Sequence, residues 1–335
     1  MTETRPAIAV LGAGSWGTAL SLLLARHGYE VVLWGHLPEA VDTLNRDREN
    51  REFLPGFPFP DNLCASADLA ASATGRDILV VVPSHAFREV LRRLGPLLAP
   101  EQRLAWATKG LEMASGKLLH QVAGEELPVG TPRTLVSGPT FAREVAKGLP
   151  TAATVASESS ELATHFATLL RGETFRTYTS RDIVGLELGG AIKNVLAIAA
   201  GISDGMGFGA NSRAALITRG LTEMIRLGEA LGGHRETFMG LGGVGDLVLT
   251  CTDDQSRNRR LGLALGQGRS RAEAEAEIRQ VVEGADTARE IHKLGKQHDI
   301  DIPICEAVYR VLYEALSPKV AVHELLTREP KAETL

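Results

Sequence analysis

The sequence predicts an α/β fold: an N-terminal Rossmann-type, doubly wound sheet over residues 1–180, then an all-helical C-terminal domain over residues 181–335. Three observations predict it. A glycine pattern, Gly12-x-Gly14-x-x-Gly17, stands between a β-type run and a helical one. Short β-type runs then alternate with helical stretches as far as about residue 180, which is the pattern of a parallel sheet. Beyond that point only helical periodicity remains. A chain of 335 residues is also too long for one ordinary core, so two domains are expected.

Taken in order, AIAVLG (7–12) reads as a buried strand and TALSLLLARHG (18–28) as a helix closed by Gly28. EVVLWG (30–35) is the next strand, which completes a β-α-β unit. In that setting Gly12 permits the tight turn, Gly14 lets backbone approach a pyrophosphate, and Gly17 lets helix pack on strand. The phosphates would rest on N–H groups at a helix N-terminus. LPGFPFPDN (54–62) is a proline-rich loop. RDILVVVPS (76–84), QRLAWATKG (102–110), TLVSGPTFA (134–142), TAATVA (151–156) and TFRTYT (174–179) each contain a strand, with helical material such as HAFREVLRRLGPLL between them. Ligands bind such sheets at the strands' carboxyl ends, here Pro83-Ser84, Lys109-Gly110 and Gly138-Pro139-Thr140.

The second half reads as helices at 186–202, 212–231, 256–268 and 271–282 and in the terminal stretch. The active cleft is expected between the two domains. GLGGVG (240–245) repeats the glycine pattern without a preceding strand, so it is read as a tight loop bringing backbone near a ligand or another helix.

Composition narrows the function. A net charge of -5 argues against nucleic-acid binding and against attraction to an anionic membrane. Cys64, Cys251 and Cys305 lie far apart, with no C-x-x-C and no even count for a disulfide framework, so reduced, buried or inert thiols and no metal are expected. The N-terminus enters a strand at once, without room for a signal sequence, and no uncharged apolar stretch is long enough to span a bilayer. A cytoplasmic protein without membrane insertion is the expectation.

The second strand ends Leu33-Trp34-Gly35-His36. The carboxylate that usually grips the ribose 2′-OH of NAD is missing there, and an imidazole can donate to a 2′-phosphate, so NADP(H) is favoured over NAD(H). Lys193 lies inside an apolar helix pattern, which is costly unless it faces a cleft or a partner. Gly189 and Gly190 share its face and would let a substrate or another backbone come close. Downstream, Asp253 or Asp254 can cap a helix whose first turn holds Ser256, Arg257 and Asn258. An arginine at a helix start suits a bound anion, here a phosphate, whereas Arg259 and Arg260 fit a solvated basic face.

At this point the chain resembles the bacterial NAD(P)-dependent glycerol-3-phosphate dehydrogenases over nearly its whole length. GAGSWGTAL, VVLWGH, VVPSHAF, WATKGLE, SGPTFAREV, LGGAIKNVLAIAAGISDGMGFGAN, GDLVLTC, QSRNRRLG and VVEG carry the resemblance. It implies reversible reduction of dihydroxyacetone phosphate to sn-glycerol 3-phosphate for phospholipid synthesis, in a homodimer. Lys193 corresponds to the general acid/base. Gly12, Gly14, Ser15, Trp16, Gly17, His36, Ala142, Val281 and Glu283 correspond to cofactor contacts. Lys109 and Arg257 are shared between cofactor and substrate, and Gly138, Thr140, Asp246, Ser256 and Asn258 belong to the substrate site. Asp246 would hold the lysine, while nearby cations such as Lys109 would lower its pKa. Two rival readings are a β-hydroxyacid dehydrogenase, against which QSRNRR speaks, and a non-catalytic NAD(P) sensor.

Overall fold

The computed structural model describes residues 5–113 and 115–329, and the chain divides into two compact units. The first comprises Met1–Lys109 and Leu119–Ile183; the second comprises Gly110–Leu118 and Val184–Leu335.

The first unit is a wound sheet. Its elements run β1 (Arg5–Leu11), α1 (Ser15–Arg26), β2 (Tyr29–Trp34), α2 (Pro38–Asp47), β3 (Leu63–Ser66), α3 (Leu69–Ser72), β4 (Asp77–Val80) and α4 (Ser84–Leu94). They continue with β5 (Arg103–Trp106), α5 (Leu119–Glu126), β6 (Thr134–Ser137), α6 (Ala142–Lys147), β7 (Thr151–Ser157), α7 (Ser160–Leu170) and β8 (Phe175–Ser180). The strands lie in the order β3-β2-β1-β4-β5-β6-β7-β8. All pairings are parallel except β6 with β7. β1 lies inside the sheet, third from one edge: Ile8 pairs with Val31 on one side and with Asp77 on the other. The chain goes outwards from β1 in both directions, so the crevice for a ligand opens at the carboxyl ends of β1 and β4. The strands are apolar because both faces are covered, and Ala9, Val10 and Leu11 are wholly buried. β8 is the edge and buries only Phe175, leaving Tyr178 exposed. β3 escapes a reading of the sequence, since four residues, Leu-Cys-Ala-Ser, carry no period of their own. They form a strand because β2 offers a backbone edge, with Val31 opposite Leu63.

The second unit is helical: α8 (Ile183–Gly205), α9 (Ala210–Ala230), α10 (Arg235–Phe238), a π-helical turn (Leu241–Gly245), α11 (Asp246–Thr252), α12 (Arg257–Gly266), α13 (Arg271–Ile278), α14 (Glu283–Gln297), α15 (Pro303–Tyr313) and α16 (Pro318–Leu326). α8 is long and apolar enough to cross a membrane by length and composition, but 94% of its most apolar window is buried inside the fold. It is the core helix of this unit. Its glycines set the packing. A Cβ at Gly201 would stand 2.9 Å from the Cα of Gly262, and one at Gly205 would stand 3.1 Å from that of Gly266. Two glycines a turn apart on each helix therefore let α8 and α12 meet backbone to backbone.

Three expectations need correction here. GLGGVG is a π-helical turn rather than a loop, although it does bring backbone to another helix, α8: a Cβ at Gly189 would overlap the Gly242 carbonyl. The helix expected over 271–282 ends at Ile278, where Arg279 takes a left-handed conformation, φ 54°. Arg259 belongs to no solvated face: it is buried, paired with Asp204 and, at 2.9 Å, with Asp254.

One buried acid is not part of any motif. Glu223 of α9 accepts hydrogen bonds from the backbone N–H groups of Ile304 (2.7 Å) and Cys305 (3.1 Å), and so caps the first turn of α15. Burial pushes its pKa up to about 7, against the opposing pull of those donors. Between pH 4.5 and 7 the unfolded chain would release this proton while the folded chain keeps it, so stability falls as pH rises through that window. The loss is at most on the order of 3 kcal/mol. Glu223→Gln is therefore expected to gain on the wild type in urea midpoint between pH 5 and pH 8. A difference between the two that does not change with pH would contradict this.

Candidate active site

In the first unit the glycine loop joins β1 to α1. Gly12 adopts φ +130°, and Gly17 has no room for a side chain because a Cβ would overlap the Gly12 carbonyl. Gly14 differs: a Cβ there would meet nothing within 4 Å, so the loop is open on that side. Gly14 is also the N-cap of α1, with no side chain capping the first turn. The N–H groups of Ser15, Trp16 and Gly17 thus begin a 12-residue helix whose positive end no side chain caps. These residues fit a dinucleotide pyrophosphate. Trp16 is half-buried against the core, and its indole nitrogen has no hydrogen-bond partner. His36 follows β2, is exposed, and has no carboxylate immediately beside it in sequence.

The ends of β5 and β6 bring a second set together. Lys109 donates from Nζ to the Gly138 carbonyl at 3.0 Å, and Thr140 donates to the same oxygen at 3.3 Å. Gly138 needs its glycine, since φ is +148° and a Cβ would stand 3.0 Å from the Cα of Ala153. Ala142 opens α6 and packs on the unit's core.

In the second unit Lys193 is buried, with 9% of its side chain exposed, and Asp246 is buried at 1%. Lys193 donates to Asp246 Oδ1 at 2.5 Å and to Thr250 Oγ1 at 2.9 Å. Thr250 in turn donates to the Asp246 backbone carbonyl at 2.6 Å. The ammonium is held between neighbouring turns of α11, and its immediate charged neighbour is an anion rather than a cation. Gly189, one turn before the lysine, is bare so that the π-helical turn can lie against α8, which carries Asp246 within reach. The backbone needs that space. Thr250 was not among the residues singled out in the sequence, although its place one turn after Asp246 puts it on the same helix face.

The α12 start is built differently from expectation. Ser256, and neither Asp253 nor Asp254, is its N-cap, accepting from Arg259 N at 3.2 Å. Asp253 accepts from Gln255 N at 2.8 Å, and Asp254 pairs with Arg259. Asp253 instead closes α11 as its C-cap. Arg257 is half-buried and donates to the Val281 carbonyl at 2.8 Å. Asn258 accepts from the backbone N–H of Gly284 at 2.9 Å, beside Glu283 at the start of α14. A Cβ at Gly284 would stand 2.7 Å from the Asn194 carbonyl, so α8, α12 and α14 converge one residue from Lys193. The convergence puts an ammonium and a cationic helix start in one neighbourhood. A proton donor and an anion clamp are what it can supply. Cys251, next to Thr250, is kept as an inert thiol, with burial pushing its pKa up to about 12.

Comparison with known proteins gives the family. Models of the NAD-dependent glycerol-3-phosphate dehydrogenase N-terminus and C-terminus match residues 7–163 and 182–323. Proteins of Shigella boydii and Escherichia coli named glycerol-3-phosphate dehydrogenase [NAD(P)+] are 54% identical over 99% of both chains. The crystal structure of the glycerol-3-phosphate dehydrogenase of Coxiella burnetii superposes with a TM-score of 0.94 at 51% identity, covering 97% of this chain and 99% of that one. A ketopantoate reductase of Ralstonia eutropha, 16% identical over 95% of this chain and all of its own, superposes with a TM-score of 0.60, which shows a shared fold alone.

The Lys193–Asp246 pair can be tested without turnover. Lys193→Met strands a buried carboxylate, which is expected to cost about 3–5 kcal/mol of stability. Adding Asp246→Asn to it is expected to restore most of the loss in chemical unfolding. A double variant no more stable than Lys193→Met would show that the two groups are not coupled.

Proposed function

The chain belongs to the NAD-dependent glycerol-3-phosphate dehydrogenase family, and from that premise we propose how its own residues reduce dihydroxyacetone phosphate to sn-glycerol 3-phosphate. The observation that carries the reading is Lys193, an ammonium buried in an apolar helix and aimed by Asp246 and Thr250. When bound, the nicotinamide cofactor supplies the hydride that reaches C2 of the ketone. Lys193 Nζ stabilises the negative charge growing on the carbonyl oxygen and gives that oxygen its proton; in the reverse direction it takes the proton back. Asp246 and Thr250 hold Nζ in place, and Asp246 in this reading also belongs to the substrate site.

Arg257, with Ser256 and Asn258 at the same helix start, binds the phosphate and so orients the ketone. The Ser256 oxygen is occupied as a cap, but its O–H can still donate. Lys109, Gly138 and Thr140 complete the substrate site in this reading. Gly12, Gly14, Ser15, Trp16, Gly17, His36 and Ala142 hold the cofactor, with Arg257, Val281 and Glu283 from the second unit. We place the activity at the start of phospholipid synthesis, in a cytoplasmic homodimer. The support for these last points is the resemblance to the family.

A substrate comparison tests the phosphate clamp. Dihydroxyacetone phosphate is expected to oxidise NADPH rapidly, while unphosphorylated dihydroxyacetone is a far poorer substrate. Arg257→Ala is expected to lower kcat/KM for the phosphorylated ketone by the equivalent of about 1.5–3 kcal/mol or more. Equal rates on both ketones, or an unchanged kcat/KM in the variant, would overturn the clamp.

The cofactor side rests on the missing carboxylate after β2. NADPH is expected to serve at least as well as NADH, and His36→Asp to shift preference towards NADH. A wild-type enzyme that ignores NADPH would contradict the role given to His36.

A further inference from the structure

The segment between α2 and β3 lies outside the glycine fingerprint, yet one of its side chains is bonded into it. Asn50 is 2% exposed. Its Nδ2 donates to the carbonyl of Ala13 at 2.9 Å and to Thr18 Oγ1 at 2.8 Å, while its Oδ1 accepts from Phe53 N at 3.2 Å. Two acceptors on one side and a backbone donor on the other leave the carboxamide a single orientation. No other residue of this size supplies both functions. Asp lacks the donors, and Leu lacks everything.

Ala13 is the residue between the first two glycines of the loop. A trans peptide sets its C=O and N–H on opposite sides, and no peptide among the described residues is cis. Drawing the Ala13 carbonyl towards Asn50 therefore turns the Gly14 N–H away from Asn50, at a residue where the loop has room, since a Gly14 Cβ would meet nothing within 4 Å. The bond to Thr18 fixes the first turn of α1 at the same time. The support is itself braced: Gly56 N donates to Glu49 Oε1 at 2.7 Å, and Phe59 N donates to the Arg48 carbonyl at 2.7 Å. We propose that Asn50 is a positioning residue for the cofactor, holding the Gly12–Gly14 loop so that the Gly14 N–H is aimed at the pyrophosphate. It touches no cofactor atom itself. The proposal rests on the reading of this loop as the pyrophosphate site.

Binding to the full-length protein tests it, with three ligands: NADPH, 2′-phospho-ADP-ribose, which keeps the pyrophosphate, and adenosine 2′-monophosphate, which lacks it. Asn50→Ala and Asn50→Asp are both expected to weaken the first two at least tenfold and to leave the third within twofold. Weakening in Asn50→Asp alone would be charge repulsion and would overturn the proposal. Equal weakening of adenosine 2′-monophosphate would reveal general distortion and would overturn it too. The wild type gives an independent reading that no folding defect can obscure. Its Gly14 amide is expected to exchange fast in the free protein and to become protected by 2′-phospho-ADP-ribose; an amide already protected in the free protein overturns the proposal. A wild type that binds neither NADPH nor 2′-phospho-ADP-ribose would instead overturn the cofactor reading itself.

Discussion

A buried ammonium must be paid for by its surroundings, and that constraint organises the second unit. Lys193 sits at the middle of α8, between Ile192 and Val195, both essentially inaccessible to water. An unpaired charge there would be prohibitive. The carboxylate of Asp246 and the hydroxyl of Thr250 make the position tenable, and both must come from a helix close enough to α8 to reach. The closeness comes from Gly189 and Gly242, whose missing side chains let the π-helical turn press on α8. The π geometry sits directly before Asp246, so the irregular turn leads straight into the residue that holds the lysine.

The same helix organises the anion clamp. Gly201 and Gly205 on α8 face Gly262 and Gly266 on α12, and this seam fixes how closely α12 lies on α8. Arg259, in the first turn of α12, is held by Asp204 of α8 and by Asp254, so the start of the helix is anchored electrostatically as well. Arg257 is left at the end of that anchored turn with its guanidinium on the Val281 carbonyl. A cation at a helix start is unfavourable for the helix dipole, and no acid in the first turn offsets it. Such a placement makes sense as a site for an anion.

Much of this was legible beforehand, and the reasons are specific. The glycine loop could be read because its backbone demands, the turn at Gly12 and the contact at Gly17, admit only glycine. Lys193 could be read because a charge within an apolar period is a conflict that some partner must resolve. Thr250 and Asn50 were invisible for opposite reasons. Thr250 looks like an ordinary helix residue until its neighbour across α8 is known. Asn50 lies 37 residues from the carbonyl it holds, in a stretch with no period at all. Arg259 was misread because charge composition alone cannot show that a basic run turns one side chain inwards to two acids. β3 and the start of α12 were likewise decided by tertiary pairing and by which of several polar residues won the cap.

The central claim is that Lys193 moves the proton, and the rate of the reaction in Lys193→Met tests it most directly. With NADPH and dihydroxyacetone phosphate both saturating, and cofactor binding confirmed by fluorescence titration, kcat is predicted to fall by about 10²–10⁴-fold, the usual worth of a general acid. A folded variant that binds NADPH and still turns over within about tenfold of the wild type would contradict the account.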